Sequence, residues 1–215
     1  MDDMSEELKQ EIYEVLNFTV NSGYFAKEEV EEIAIQQIEE LFFDYERSLL
    51  AVADVRQMIM EVKTSYQSTS SACYERLRQV FDQLNRERII AVDFAGYDMS
   101  EGHESVGDVF QFMKANEIPR FGYCFFHQQD IERSMDPTIG ELFLAFNSMN
   151  GDEEIALAVG KRVVSLLAQQ NFTVSWDETV HQRICIEEFT WDKVFNNEAN
   201  GVEQAIQVMR ETYVV

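Results

Sequence analysis

The chain has 215 residues, 46% of them hydrophobic and 12% aromatic, which is enough apolar material for one large domain or two small ones. Its formal net charge of −23 and its pI near 4.3 argue against nucleic-acid binding through phosphates and against docking on an anionic membrane, because both require lysine and arginine. Two prolines and nine glycines are too few for a disordered or fibrous chain, and no apolar run approaches the roughly 18–20 residues of a membrane span.

The first ten residues, MDDMSEELKQ, are acidic and polar, which is the opposite of a secretory signal. We therefore expect a soluble protein of the cytoplasm. The three cysteines, Cys73, Cys124 and Cys185, are odd in number and have no CxxC spacing, which predicts reduced thiols rather than a zinc site or disulfides. The sequence contains no GxGxxG, Walker, HExxH, EF-hand or GxSxG motif, so no cofactor is predicted.

The N-terminal third reads as a set of acidic helices. Residues 1–46 hold 14 acidic side chains against two lysines, a formal charge of −12. Apolar residues at helical spacing predict three helices, from Ser5 as N-cap to Asn21, from Lys27 to Tyr45, and from Leu49 to Tyr66. The segment Gln67–Ser71 (QSTSS) is typical of a linker. We expect residues 1–70 to form an acidic helical region ahead of an α/β domain in residues 71–215.

The acidic helix faces have two interpretations. They are solvated surfaces, or they are a binding surface for a basic protein partner. The apolar positions of the same helices serve a homodimer as easily as a core.

The second part of the chain alternates helical and strand patterns, with apolar runs bounded by glycine, proline and polar clusters. The pattern predicts an α/β fold, with α+β as the alternative, and a mixed sheet of about five strands. The predicted strands are Ile89–Phe94, Phe121–Phe126, Glu141–Phe146, Phe172–Trp176 and Arg183–Glu187. The predicted helices are Ala72–Glu87, Gly107–Asn116, Ile131–Met135 with Asp130 as cap, Glu153–Gln170 and Ala199–Tyr213. The third and fourth strands with their helix predict a parallel crossover, and the last two strands predict a hairpin.

The segment Ala95–Ser105 (AGYDMSEGHES) is expected to be a flexible polar loop. It contains four residues of types that bind metals, Asp98, Glu101, His103 and Glu104. An exposed acidic loop is the favoured interpretation.

The densest polar cluster of the chain, His127-Gln128-Gln129-Asp130, directly follows the aromatic strand Phe121–Phe126. Side chains at the carboxyl end of a buried strand lie where open α/β sheets bind ligands. One interpretation is a capped turn whose polar groups satisfy buried backbone. The other is a site in which His127 is a base or metal ligand and Asp130 its partner. The two glutamines favour recognition, because amides read hydrogen-bonding ligands and are poor catalysts.

A second polar cluster, Asp177-Glu178-Thr179, follows the strand that ends at Trp176. If this strand and Phe121–Phe126 run parallel in one sheet, both clusters emerge at the same edge and form one pocket. The candidate ligand-binding residues are then His127, Gln128, Gln129, Asp130, Glu132, Trp176, Asp177 and Arg183.

Three segments resemble an uncharacterised bacterial family, a domain of unknown function. They are FGYCFFHQQDIER (Phe121–Arg133), ELFLAFNS (Glu141–Ser148) and VSWDETVHQRICIE (Val174–Glu187). The family has an aromatic strand followed by His-Gln-Gln-Asp-Thr-Glu, a Leu-Tyr-Leu-type strand, and a Trp-Asp-Gly-Thr turn before an arginine. The resemblance implies a shared fold over roughly Ile89–Phe189 and a shared surface at the candidate residues, but no activity. Relatives often carry cysteines after the first strand; this chain has AGYDMSEG there, and Ile131 replaces the usual threonine.

Two functional hypotheses follow. The first is a non-enzymatic binding or interaction protein that recognises a small polar ligand or a basic partner, with no metal expected. The alternative is a metal-assisted hydrolase with His127, Asp130 and Asp177 as ligands and Glu132 or Glu178 as base, because a catalytic metal needs a few such ligands and an open position.

Overall fold

A computed structural model describes residues 6–41, 52–65 and 71–214, and the chain divides into two compact units. The first unit comprises residues 1–71 with 192–197, and the second comprises residues 72–191 with 198–215. The first contains the helices α1 (Glu6–Asn21), α2 (Val30–Leu41) and α3 (Val52–Ser65).

The first unit is built around the apolar stripes that the sequence shows at helical spacing. Its core consists of Ile12, Leu16, Val30, Ala34, Ile38, Met58, Ile59 and Val62. Helix α1 ends at the predicted Asn21, and Gly23 follows with φ +75°, the left-handed conformation that glycine adopts without strain. Some predicted features lie outside the described residues. They are the cap Ser5, the second helix beyond Leu41, the third helix before Val52 and at Tyr66, and linker residues 67–70.

The second unit is an α/β domain with a mixed sheet, which confirms the predicted fold class. Its strands are β1 (Ile89–Val92), β2 (Gly122–Phe125), β3 (Leu142–Ser148), β4 (Thr173–Ser175) and β5 (Ile184–Glu187), in the order β1-β2-β3-β5-β4. Strands β1 and β2 are parallel, and all other pairs are antiparallel. Its helices are α4 (Ala72–Arg86), α5 (Met99–Ala115), α6 (Gln128–Met135), α7 (Glu153–Gln169) and α8 (Gly201–Tyr213).

Helices cover both faces of the sheet, as the nearly continuous apolar strands require. On one face, residues of α5 and α8 pack with Ile90, Val92 and Phe125 in a single buried cluster. On the other face α7 packs so closely that a Cβ at Gly160 would lie 2.7 Å from the Phe146 ring. Successive strand residues point to opposite faces, so the alternation within β3 decides which helix each side chain meets.

Strand β3 changes partners along its length. Its residues 145–148 pair with β2, whereas residues 142–144 pair with β5 on the other edge. Since β2 and β5 are both antiparallel to β3, they run in the same direction, and β5 begins level with the place where β2 ends.

Three predicted helix starts are wrong. The second helix, predicted from Lys27, begins at Val30. The segment predicted as the loop 95–105 is helical from Met99, because the Asp98 side chain accepts hydrogen bonds from the backbone N–H groups of Ser100 and Glu101 and so caps α5. The helix predicted from Ile131 begins at Gln128, with His127 in the N-cap position and Asp130 as the third helical residue.

The predicted direction of the last strands is partly correct. The hairpin β4–β5 is confirmed. Strands β3 and β4 run in the same direction, but β5 lies between them. It follows that β4 is antiparallel to β2, so the expectation that His127–Asp130 and Asp177–Thr179 leave the sheet at one edge is wrong.

Within the described residues, no helix is long and apolar enough to cross a membrane.

Two glycines of α5 test how tightly this helix packs. Gly102→Ala should lower the free energy of unfolding by about 1–3 kcal/mol, because the new Cβ would lie 2.2 Å from a ring carbon of Phe125. Gly107→Ala on the same helix meets no atom within 4 Å and should raise it by about 0.5–1 kcal/mol. Urea unfolding of both variants measures the difference, and equal effects would contradict the packing of α5 on β2.

Candidate functional site

Asp130 is the centre of a buried polar cluster. Its side chain is only 3% exposed, and its two oxygens have different partners. Oδ1 accepts a hydrogen bond from Nη1 of Arg183 at 2.8 Å, and Oδ2 accepts one from the backbone N–H of His127 at 3.2 Å. The carboxylate therefore joins the start of α6 to the residue that precedes β5.

The His127 imidazole is buried against this carboxylate. Nδ1 lies 3.1 Å from Asp130 Oδ2, but without the direction of a hydrogen bond, and it has no hydrogen-bond partner among the described residues. Burial lowers the pKa of His127, the Asp130 carboxylate opposes this, and the Arg183 guanidinium adds to it. Burial also raises the pKa of Asp130, although Arg183 and His127 oppose the shift. The geometry thus holds a neutral ring beside a carboxylate whose oxygens are already engaged.

The chain that follows β1 covers the start of α6. Ala95 N–H donates to the Phe126 carbonyl at 2.9 Å, Gln128 N–H to the Gly96 carbonyl at 2.9 Å, and Gln129 N–H to the Tyr97 carbonyl at 3.3 Å. A helix N-terminus normally offers such N–H groups to anions. Here the first donors are occupied, so any anion must be held by side chains.

Two arginines lie over the ring of Phe143. The guanidinium carbon is 5.0 Å from the ring centroid for Arg183 and 5.1 Å for Arg133 of α6. The two groups are therefore no more than about 10 Å apart. Arg133 also donates to Glu141 Oε2 at 2.9 and 3.3 Å. The side chains of Arg133 and Arg183 remain 47% and 38% exposed, so both are partly open to solvent.

The two glutamines differ in their surroundings. Gln128 donates to Glu132 Oε1 at 2.9 Å, four residues along α6. Gln129 is exposed and lies one helical turn before Arg133, on the same strip of the helix. We call the side chains of Gln129, Arg133, Phe143 and Arg183 the arginine surface.

Sequence reasoning missed Arg133 and Phe143. Arg133 follows Asp130 by three residues and Gln129 by four, a spacing that places all three on adjacent positions of one helix. Phe143 points to the face opposite that of Leu142 and Leu144 because side chains alternate along a strand. These two periodicities were the available signals.

Trp176 and Asp177 do not join this cluster. Trp176 packs on Phe146, with ring centroids 5.3 Å apart, whereas Arg183 lies over Phe143. Phe143 and Phe146 are three positions apart in β3 and face opposite sides of the sheet. Asp177 Oδ1 accepts hydrogen bonds from the N–H and hydroxyl of Thr179, which closes its own turn. The predicted single pocket is therefore divided between two faces.

The metal-ligand sets considered from the sequence are not assembled. Within the part of the chain that the structure describes, no three His, Cys, Asp or Glu side chains are placed to hold a metal ion, and this covers His127, Asp130 and Asp177. The second set came from the segment 95–105, and its side chains have other partners. Asp98 caps α5, and the Glu101 carboxylate accepts a hydrogen bond from Tyr97 N–H at 2.8 Å. The His103 ring lies between the Met99 carbonyl and the Tyr123 hydroxyl.

A family model described as a domain of unknown function (DUF6891) matches residues 5–195. The chain belongs to this family. Membership of a family without an assigned activity is thus confirmed, and the DUF6891 match includes every residue of the cluster and of the arginine surface. No curated protein and no solved structure matches the chain.

The cluster should be stabilising. Asp130→Asn should lower the free energy of unfolding by about 2 kcal/mol, because it removes the carboxylate that neutralises Arg183 in a buried site. Asp108→Asn, at an exposed position of α5, is the matched control. Urea unfolding measures both variants, and a loss no greater than that of the control would contradict a structural role for Asp130.

The buried His127 ring should make stability depend on pH. Because its pKa in the folded protein is below the ordinary 6.5, the unfolded chain binds more protons near pH 6, and the free energy of unfolding should fall as pH drops below about 6.5. The raised pKa of Asp130 has the opposite effect: above pH 3.8 it makes the free energy of unfolding rise as pH falls. Urea unfolding between about pH 7.5 and pH 5.5 covers the range in which the histidine contribution changes.

His127→Asn keeps a side chain that caps helices well and removes the titrating ring, so its stability should fall less steeply over this range. His181→Gln removes an exposed histidine and controls for the loss of one imidazole. If the free energy of unfolding of His127→Asn depended on pH as steeply as that of the wild type, His127 would not be the source of the pH dependence.

Proposed function

We propose that this protein is a non-enzymatic binding protein and that it recognises a small polar ligand with an anionic group through the arginine surface. The main support is that the Arg183 side chain is both fixed and partly exposed. Its guanidinium is anchored by the buried Asp130 carboxylate and lies over Phe143, yet the side chain keeps 38% of its exposure. Such an arginine is held in place before a ligand arrives, which lowers the entropic cost of binding.

The other members of the surface support an anionic ligand. Arg133 places a second guanidinium over the same ring, in a chain with 17 basic and 40 acidic residues. Guanidinium groups bind carboxylates and phosphates through paired hydrogen bonds. Gln129 adds an exposed amide one turn away, which can donate to or accept from the polar remainder of the ligand.

Recognition is favoured over hydrolysis because neither member of the buried His127–Asp130 pair is an accessible base. The Asp130 oxygens are occupied by Arg183 and by a backbone N–H, and the His127 ring is buried. General base catalysis requires a group within hydrogen-bond reach of the substrate. The buried pair is better suited to supporting the arginine than to removing a proton.

Thermal melting and calorimetric titration with acetate, succinate, L-glutamate and inorganic phosphate test the proposal. A ligand that binds the folded state raises the melting temperature by mass action. We expect at least one probe to do so, and Arg183→Gln to weaken its binding by about tenfold or more. The matched control is Arg120→Gln, since Arg120 lies 4.2 Å from the Phe110 centroid and is an arginine stacked on phenylalanine elsewhere in the unit. Equal loss in both variants, or no response to any probe, would argue against the arginine surface.

A basic protein partner is the second candidate, and the exposure of the acidic helices favours it. Among the side chains whose burial is described, the exposed glutamates of α1 and around the start of α2 are Glu11, Glu14, Glu28, Glu29 and Glu32. The apolar stripes of these helices are buried in the core of the unit, so the surface they leave is polar.

A lysine-rich peptide titrated at increasing salt tests the second candidate. The double change Glu11→Gln and Glu14→Gln should weaken binding more than Glu153→Gln and Glu154→Gln, which remove the same charge from exposed positions of α7. Equal losses would indicate attraction by net charge alone.

A further inference from the structure

A concave surface lies on the sheet face opposite to the arginine surface. It is a groove of about 220 Å³ between α7 and the end of β4, lined by Lys161, Val164, Val174, Trp176 and Glu178. The volume is below the roughly 300–1,000 Å³ of pockets for drug-sized molecules, so the groove fits a smaller ligand.

The indole of Trp176 is a fixed wall of this groove. Its Nε1 donates a hydrogen bond to the Thr179 carbonyl at 3.0 Å, and its ring meets Phe146 edge-on at an interplanar angle of 88°. Gly160 of α7 allows this approach, because a Cβ there would lie 2.8 Å from the indole. The apolar wall is therefore held in place by contacts within the protein.

Two opposite charges stand at the mouth of the groove. Lys161 Nζ lies 4.0 Å from Glu178 Oε2, and the two side chains are 62% and 72% exposed. A solvated pair of this kind contributes little to stability. Each partner can therefore exchange the other for a ligand group of the matching charge at small cost.

Glu178 is one of seven non-glycine residues in the described part of the chain with a left-handed backbone. Its φ is +59°, in the left-handed region where glycine is favoured and a side chain is strained. The turn is closed by Asp177 and Thr179 and requires no side chain at position 178.

We propose that this groove binds a free α-amino acid with an apolar side chain. The ammonium group would pair with Glu178, the carboxylate with Lys161, and the side chain would lie on Trp176, Val164 and Val174. The ammonium and carboxylate groups of an α-amino acid are attached to one carbon, so the groups that recognise them must lie a few ångströms apart, as Lys161 and Glu178 do.

Tryptophan fluorescence reports on the groove directly. The chain has two tryptophans, and Trp191 is 1% exposed, so a change caused by a ligand at the surface belongs to Trp176. L-leucine should give a saturable change, and Trp176→Phe should abolish it. Leucinamide, 4-methylpentanoate and glycine each lack one recognised group and should bind about tenfold more weakly or worse.

Changes at Glu178 separate binding from folding. Glu178→Gln should weaken L-leucine binding by about tenfold and leave the melting temperature unchanged. Glu178→Gly should also lose binding but raise the melting temperature, since glycine relieves the strained φ. Arg133→Gln, on the other face, should bind L-leucine as the wild type does, which keeps this result independent of the arginine surface.

Three results would overturn the proposal. One is the absence of a saturable change up to about 10 mM L-leucine, which would detect even a millimolar site. The second is equal binding by Glu178→Gln and the wild type. The third is equal binding of L-leucine and leucinamide.

Discussion

The contact between the buried Asp130 carboxylate and Arg183 is the interaction on which the arrangement of the second unit depends. It lies where β3 exchanges β2 for β5 as its neighbour, and it joins the helix after β2 to the residue before β5. An isolated carboxylate is costly to bury, and this one is met by a guanidinium and a backbone N–H. The same bonds that satisfy the charge therefore also hold the two chain segments in register.

The alternation of side chains in β3 divides the molecule into two chemically different surfaces. Phe143 faces α6 and carries Arg133 and Arg183, while Phe146 faces α7 and carries Trp176. One surface carries two guanidinium groups, each paired with a carboxylate, and the other combines an indole wall with a pair of opposite charges. Because the sheet separates them, each can evolve or be altered without a direct contact to the other.

The elements were predictable from the sequence, but their pairing was not. Helical and strand periodicity located the five strands, the mixed sheet and the N-terminal helices. It did not locate the start of α5, because Gly102 and Gly107 resemble loop residues, whereas Asp98 caps the helix and Gly102 lets Phe125 approach. It did not give the direction of β4 relative to β2, since hydrophobic pattern records which face of a strand is buried and not which strand lies beside it. Gln129 and Asp130 were found because they are contiguous with a strand end; Phe143 comes to Arg183 only through the pairing of β3 with β5.

The two interpretations of the His-Gln-Gln-Asp cluster are compatible, because they apply to different side chains. Asp130 reaches back to the N–H of His127, as a capping residue does, and this accounts for the burial of both. Capping does not explain why Gln129, Arg133 and Arg183 are partly or fully exposed. Their positions are nonetheless set by the buried contacts of the same elements. A rigid structural pair beneath a polar surface is the arrangement that precise recognition requires, since the groups that meet the ligand must be held by groups that do not.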